Sequence, residues 1–312
     1  MPLCVLAGVA AIPVCAQEYP AKPVRIITSD PGSGSDYSAR VIAKGISGQL
    51  GKQIIVDNRP SVIAPEVVAK SPPDGYTLLF YGAGLWLLPL MRTDLRYDLE
   101  KDLAPVSWAT TSPTVLAIHP SLPAKSVKEL IGIARARPGA LNCSTGAPGT
   151  INHLAGEMFK HMARVNIVRI GYKGQGAALT DLVAGQVHLM FVPAVAVTPH
   201  LKSGRLIALG VTSAQPSPLL PGLPTIAAAG GLPGYEIVSV NGVFAPAKTP
   251  AAVVNRISAE INRLYATAEV KEQFAAAGVE AVGGTPELFA AKIREQTAGM
   301  GKVIREAGIR AE

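Results

Sequence analysis

Short apolar bursts alternate along this chain with longer segments whose apolar positions recur every three or four residues. That alternation predicts strands followed by amphipathic helices. The first unit is the clearest. A burst at 24–28 (Val-Arg-Ile-Ile-Thr) runs into the loop Ser29-Asp30-Pro31-Gly32-Ser33-Gly34-Ser35-Asp36, and then Ala39, Ile42, Ile46 and Leu50 mark one helix face closed by Gly51. A second strand is expected at 53–56, a short helix with Pro65 in its first turn, and, after the turn Pro72-Pro73-Asp74-Gly75, a third strand at 76–81. Strand and helix in strict alternation imply a parallel α/β sheet. The bursts at 103–108 and 114–119 have no clear helix between them, so one of them is expected to cross between domains.

A second series begins with a helix opened by the capping box Ser126 and Glu129. A strand at 141–144, the loop Thr145-Gly146-Ala147-Pro148-Gly149-Thr150 and a helix at 151–162 then repeat the opening architecture. Strands at 166–170, 187–192 and 206–212 follow with helices between them, and a proline-rich surface connection covers 215–224. The stretch 235–244 is long enough to return to the first domain. Thr249-Pro250 and Thr285-Pro286 open two helical segments expected to pack back on the first sheet. The fold class is thus α/β, with two lobes that each hold a mainly parallel sheet flanked by helices. Lobe 1 is expected at 17–118 and 243–312, lobe 2 at 119–242, and the cleft between them carries one Gly loop from each.

The first residues change the picture of where the chain works. Residues 3–16 are almost wholly apolar and end in Val14-Cys15-Ala16 before Gln17-Glu18, which reads as a secretory signal cut after Ala16, although Met1-Pro2-Leu3 lacks the usual positive charge. A soluble exported protein is expected. Cys4 and Cys15 leave with the signal, so Cys143 has no partner for an internal disulfide. The net charge of +7 suits solubility and draws anions, but Lys and Arg are scattered, without the stripe expected of a nucleic-acid binder.

Candidate chemistry centres on the two loops. A Gly/Ser loop at a helix start offers free backbone N–H groups, the positive end of the helix dipole and the hydroxyls of Ser33 and Ser35 to a carboxylate or phosphate. The same loop also reads as a plain turn in which Ser35 or Asp36 caps the helix. No phosphate-loop or full G-x-G-x-x-G signature is present, so nucleotide binding is disfavoured and no cofactor is expected. The five histidines show no metal-ligand spacing, and a Cys143, His153 and Asp181 set is available only in type. Tyr172, in a Gly-flanked loop, could close over a ligand or could be packing.

Tyr19-Pro20-Ala21-Lys22-Pro23-Val24-Arg25, Asp57-Asn58-Arg59-Pro60, Pro72-Pro73-Asp74-Gly75-Tyr76-Thr77-Leu78, Ala104-Pro105-Val106, Lys125-Ser126-Val127-Lys128-Glu129-Leu130, His153-Leu154-Ala155-Gly156-Glu157, Tyr172-Lys173-Gly174 and Leu179-Thr180-Asp181-Leu182 resemble the Bug family, the periplasmic solute-binding proteins of tripartite tricarboxylate transporters. The resemblance implies a type II-like, two-lobed, monomeric binding protein without enzymatic activity. It would capture a small organic carboxylate and deliver it to membrane transporter subunits. It also implies a ligand site at Asp30, Gly32, Ser33, Gly34, Ser35 and Asp36 in the first loop and Ser144, Thr145, Gly146 and Thr150 in the second, with Tyr172 and Val192 nearby. Gly34 and Gly146 are expected to hold backbone shapes that aim amides at the ligand. Three departures stand out: Asp30 replaces a loop proline, Ser61-Val62-Ile63 shortens a Gly-rich stretch, and Val192 stands where many members have aspartate. Loss of that carboxylate points to an acid without an amino group, a dicarboxylate or an aromatic carboxylate. An exported α/β hydrolase and a ligand sensor with the same fold remain as rival readings.

Overall fold

The computed structural model describes residues 19–29, 31, 33–60, 63–146, 150–172, 174–306 and 308–310. The expected signal segment, Asp30, Gly32 and the Ser61-Val62 part of the shortened stretch lie outside these. The chain opens β1 (Val24–Thr28), α1 (Gly34–Leu50), β2 (Ile54–Asn58), α2 (Ala64–Ala69), β3 (Thr77–Gly82), α3 (Gly84–Leu87) and α4 (Leu99–Asp102). The 16-residue β4 (Leu103–Ile118) follows. Then come α5 (Val127–Ala136), β5 (Asn142–Thr145), α6 (Ile151–Ala163), β6 (Val168–Gly171), α7 (Gln175–Val183), β7 (Leu189–Pro193), α8 (Ala194–Lys202), β8 (Ile207–Val211) and α9 (Ile226–Gly230). The chain ends with β9 (Val238–Pro246), α10 (Ala251–Ala266), α11 (Ala268–Ala276), β10 (Glu280–Ala281) and α12 (Pro286–Glu306).

The strands lie in the order β2-β1-β3-β9-β4-β7-β5-β6, with β8 and β10 also paired to β4. The parallel expectation holds for β2-β1-β3 and for β6-β5-β7. The sheet as a whole is mixed, because β9 runs antiparallel to β3 and β4, and β4 runs antiparallel to β7 and β8. The two bursts read as separate strands form one element. Residues 103–113 pair with β9, whereas 114–118 pair with β7 and β8. The polar stretch that hid this continuity is covered: Thr110 and Thr111 pair with β10, and Ser112 Oγ donates to the Gly278 carbonyl at 2.9 Å.

Both faces of the sheet's inner strands are buried, which is why they read as near-continuous apolar runs. On one face Val24, Ile26, Leu78 and Phe80 meet Ile42 and Ile46 of α1 and Ile257 and Ile261 of α10. On the other, Ile27, Leu79 and Phe244 meet Phe289 of α12, whose ring centroid is 4.9 Å from that of Phe244. The C-terminal helices therefore return to the first strand set, as the sequence suggests. Gly242 makes this approach possible: a Cβ there would collide with the Phe289 ring and lie 2.6 Å from the Ser107 carbonyl oxygen. Around β7, Val115, Ala117, Met190 and Val192 pack with Ala178, Leu182 and Val197 from α7 and α8.

Candidate functional site

Strand β4 serves as a ruler for the site. The last residue of β3, Gly82, is paired with Asn241 of β9, which is paired with Thr110 of β4. From the opposite side, the last residue of β7, Pro193, is paired with Thr114. The two strand sets run toward each other, and their carboxyl ends stop four positions apart on one strand, about 13 Å at the usual rise per residue. β1 ends beside β3, where Thr28 Oγ1 donates to the Phe80 carbonyl at 3.2 Å. β5 and β6 end beside β7, with Thr145 opposite Gly171. In open α/β sheets ligands bind beyond the carboxyl ends of the strands.

Helices start at these same ends. Ser33 caps α1 through its hydroxyl, which accepts from the Asp36 N–H at 3.2 Å, so neither Ser35 nor Asp36 is the cap. Thr150 caps α6 in the same way through His153 N–H at 3.4 Å. The start of α7 at Gly174 has no side-chain cap, which leaves its first N–H groups to other acceptors. Asp36 is buried and committed: Arg40 Nε lies 2.9 Å and Asn58 Nδ2 2.8 Å from its Oδ1. It orders the first loop from within. Gly34 is an exposed helical residue, and a Cβ added there would meet nothing within 4 Å. Neither space nor a left-handed backbone therefore requires glycine at this position. At Gly146 a Cβ would lie 3.3 Å from Gln175 Cγ, a tight but not forbidding approach.

In the second loop, Ser144 is buried and donates to the Ala178 carbonyl at 3.3 Å, so it braces α7. Thr145 is buried and accepts from Arg169 Nε at 3.1 Å. The Tyr172 hydroxyl donates to Asp181 Oδ2 at 2.6 Å, which fixes the ring's polar end and pushes the phenol up to about 12. Val192 departs from its expected place. Its side chain is 1% exposed, inside the apolar cluster formed with α7 and α8, and it lines no cleft here. Strand alternation is the reason: Phe191 points to one face of the sheet and Val192 to the other.

Three further residues belong to this neighbourhood, of which sequence reasoning missed Asn152 and Arg169. Asn152 Nδ2 donates to the Phe191 carbonyl at 2.5 Å while its Oδ1 accepts from Gln175 Nε2 at 3.2 Å, so one side chain links α6, β7 and α7. Arg169 lies on the edge strand β6. Its only sequence signal was a cation in an otherwise apolar burst. His153 is buried, with Nε2 3.7 Å from Glu157 Oε1. Desolvation first, and then the charge of Arg169, lower its pKa to about 4. Cys143 is buried in β5, where burial pushes the thiol up to about 12, far from a reactive thiolate. Among the described residues no group of three or more His, Cys, Asp or Glu side chains is placed to hold a metal ion.

The chain is similar to known proteins over nearly its whole length. The profile of the tripartite tricarboxylate transporter family receptor, TctC, matches residues 38–309. The protein BugT of Bordetella pertussis is 35% identical over 312 residues, covering 97% of this chain and 94% of its own. Among solved structures, Rpa4515 of R. palustris with adipate is 34% identical with a TM-score of 0.80, covering 94% of this chain and 99% of that one. MatC from Rhodopseudomonas palustris with bound malate is 26% identical with a TM-score of 0.76, covering 92% and 100%.

Proposed function

The chain belongs to the tripartite tricarboxylate transporter family of receptors, and from that premise we propose that it is a monomeric periplasmic receptor that captures a small dicarboxylate between two closing lobes. The observation that carries this reading is the convergence of two sets of strand carboxyl ends, each topped by helix N-termini, on the middle of β4. Relatives solved with adipate and malate support the ligand class. The pairing register favours lobe boundaries at Pro113–Thr114 within β4 and just before Val238, each about five residues earlier in the chain than those read from the sequence.

Ligand capture follows from half-sites. The α1 loop offers N–H groups and the Ser33 and Ser35 hydroxyls, and the α6 and α7 starts offer the other half. A dianion spanning both binds the closed form more tightly and shifts the population toward it by that difference. Membrane subunits of the transporter would then read the closed form. The leader before Gln17 is part of this proposal, and N-terminal sequencing of exported protein checks it.

Thermal shift and titration calorimetry with succinate, malate, glutarate and adipate test the reading. A ligand at 100 times its Kd stabilises by about 2.7 kcal/mol, a readily measured rise in Tm. Silence across the panel, or turnover of model esters by the purified protein, would overturn it. Nothing in the surroundings of Cys143 favours the hydrolase reading.

A further inference from the structure

Arg169 lies on β6 opposite Cys143 of β5, and its side chain reaches along the sheet toward the carboxyl ends. Nε donates to Thr145 Oγ1, and a terminal nitrogen comes within 3.1 Å of where a Cβ on Gly171 would stand. Thr145 holds the stem, and glycine at 171 leaves the head room. The residue is exposed.

Its charge is uncommitted, unlike that of the arginines held in ion pairs. Arg25 and Arg59 meet Asp57, Arg40 meets Asp36, Arg92 meets Asp94, and Arg263 meets Glu260. No carboxylate lies within ion-pair distance of Arg169 among the described residues, and Thr145 is its one hydrogen-bond partner there. The nearest acidic side chain on the packed helix, Glu157, is held by Lys160 at 2.7 Å and approached by His153. The positive field of Arg169 is nevertheless felt in the first turn of α6, where it helps keep His153 neutral. A guanidinium fixed at its Nε still presents N–H donors in the fork geometry that suits a carboxylate.

The opposite loop is built differently. Asp36 there is neutralised by Arg40 and Asn58, so the α1 start offers hydroxyls and amides rather than a free cation. One half of the site therefore suits a carboxylate held by amides, and the other half suits one held by a cation.

Building on the receptor reading above, we propose that Arg169 is a specificity-determining residue of the cleft: it takes the second carboxylate of a dicarboxylate whose first carboxylate sits at the α1 loop. Selection of diacids over monoacids then resides in this side chain. The Thr145 contact orients the guanidinium before the ligand arrives and reduces the entropy lost on binding.

Calorimetry on the full mature chain tests this with succinate, malate, glutarate and adipate, each compared with butyrate and hexanoate. Arg169→Gln is expected to weaken the best diacid about 10- to 100-fold, the range of a hydrogen bond to a charged group, and to leave monoacid binding within about twofold. Arg169→Lys should lose less, because the charge stays while the fork goes. Thr145→Val keeps the whole cation and should fall between wild type and Arg169→Gln, which separates anchoring from charge if Arg169→Gln folds poorly. A wild type that binds no diacid overturns the receptor reading and this inference with it. A wild type that binds a diacid, with Arg169→Gln and Arg169→Lys binding it equally well or losing diacid and monoacid in the same proportion, overturns the role of Arg169 alone.

Discussion

The side-chain amide of Asn58 donates to Asp36 Oδ1 at 2.8 Å and to the Ser29 carbonyl at 2.7 Å, so the last residue of β2 pins both the loop after β1 and the first turn of α1. Arg40 completes the ring, with Nε 2.9 Å from Asp36 Oδ1 and a terminal nitrogen 2.9 Å from Asn58 Oδ1. A polar cluster of this kind spends its acidic residue on shaping the loop.

Asn58→Leu is expected to destabilise the fold by about 1–3 kcal/mol, because a buried carboxylate loses a donor and the leucine cannot replace it. For a chain of this size that lowers Tm by roughly 2–10 °C. Dicarboxylate affinity should fall as well, since the loop loses its pin. Calorimetric melting checks the first effect, and an unchanged Tm would show that Arg40 alone suffices.

Why that ring escaped the sequence is a matter of distance along the chain. Strand, loop and helix in the first unit follow from local periodicity, and the capping box at α5 does too, although Glu129 reaches the Lys125 N–H rather than that of Ser126. Asn58 and Asp36 are separated by a helix and a strand, and only the parallel pairing of β1 with β2 brings them together. The same limit hid the continuity of β4, whose polar middle is covered by the two-residue β10 from far downstream. Site residues read from loop chemistry, such as Ser33 and Thr150, stand where helices begin. Val192 was placed by analogy of position, and the face of the strand on which it falls decides otherwise.

His153 gives the stability a pH signature. It is buried and held neutral in the folded chain, with its pKa lowered from 6.5 to about 4. Between those values the unfolded chain takes up a proton that the folded chain refuses, so stability rises with pH. The contribution is complete above about 6.5, declines as pH falls, and is fully lost below about 4. Melting curves from pH 7.5 to 4 should show Tm falling over this window, and His153→Gln should flatten that part of the slope. Parallel curves for variant and wild type would remove the histidine from the account.

Cys143 should behave as an inert core residue. With its thiol pushed up to about 12 and its side chain under α6, where a Cβ on Gly156 would sit 3.7 Å from Sγ, it offers neither thiolate nor access. A thiol reagent at pH 8 is expected to label Cys143 only after unfolding in guanidinium. Cys143→Ala should leave dicarboxylate binding unchanged. Rapid labelling of the folded protein would contradict the burial and reopen the nucleophile reading.

Val192 provides the sharpest contrast between a reading by position and a reading by packing. Were its side chain to face the ligand, Val192→Asp would supply a carboxylate for an ammonium and turn preference from succinate toward aspartate. Its place among Val115, Met190, Ala178 and Leu182 dictates a different result. A carboxylate there would be buried without a partner, at a cost of several kcal/mol, so Val192→Asp should be expressed poorly or melt far below wild type. Val192→Ala is the informative companion: it removes buried apolar surface at a cost of roughly 1–3 kcal/mol while touching no ligand. Its diacid affinity and its succinate-to-aspartate ratio should match wild type despite the lower Tm. A folded Val192→Asp protein that binds aspartate more tightly than succinate would place this side chain in the cleft after all.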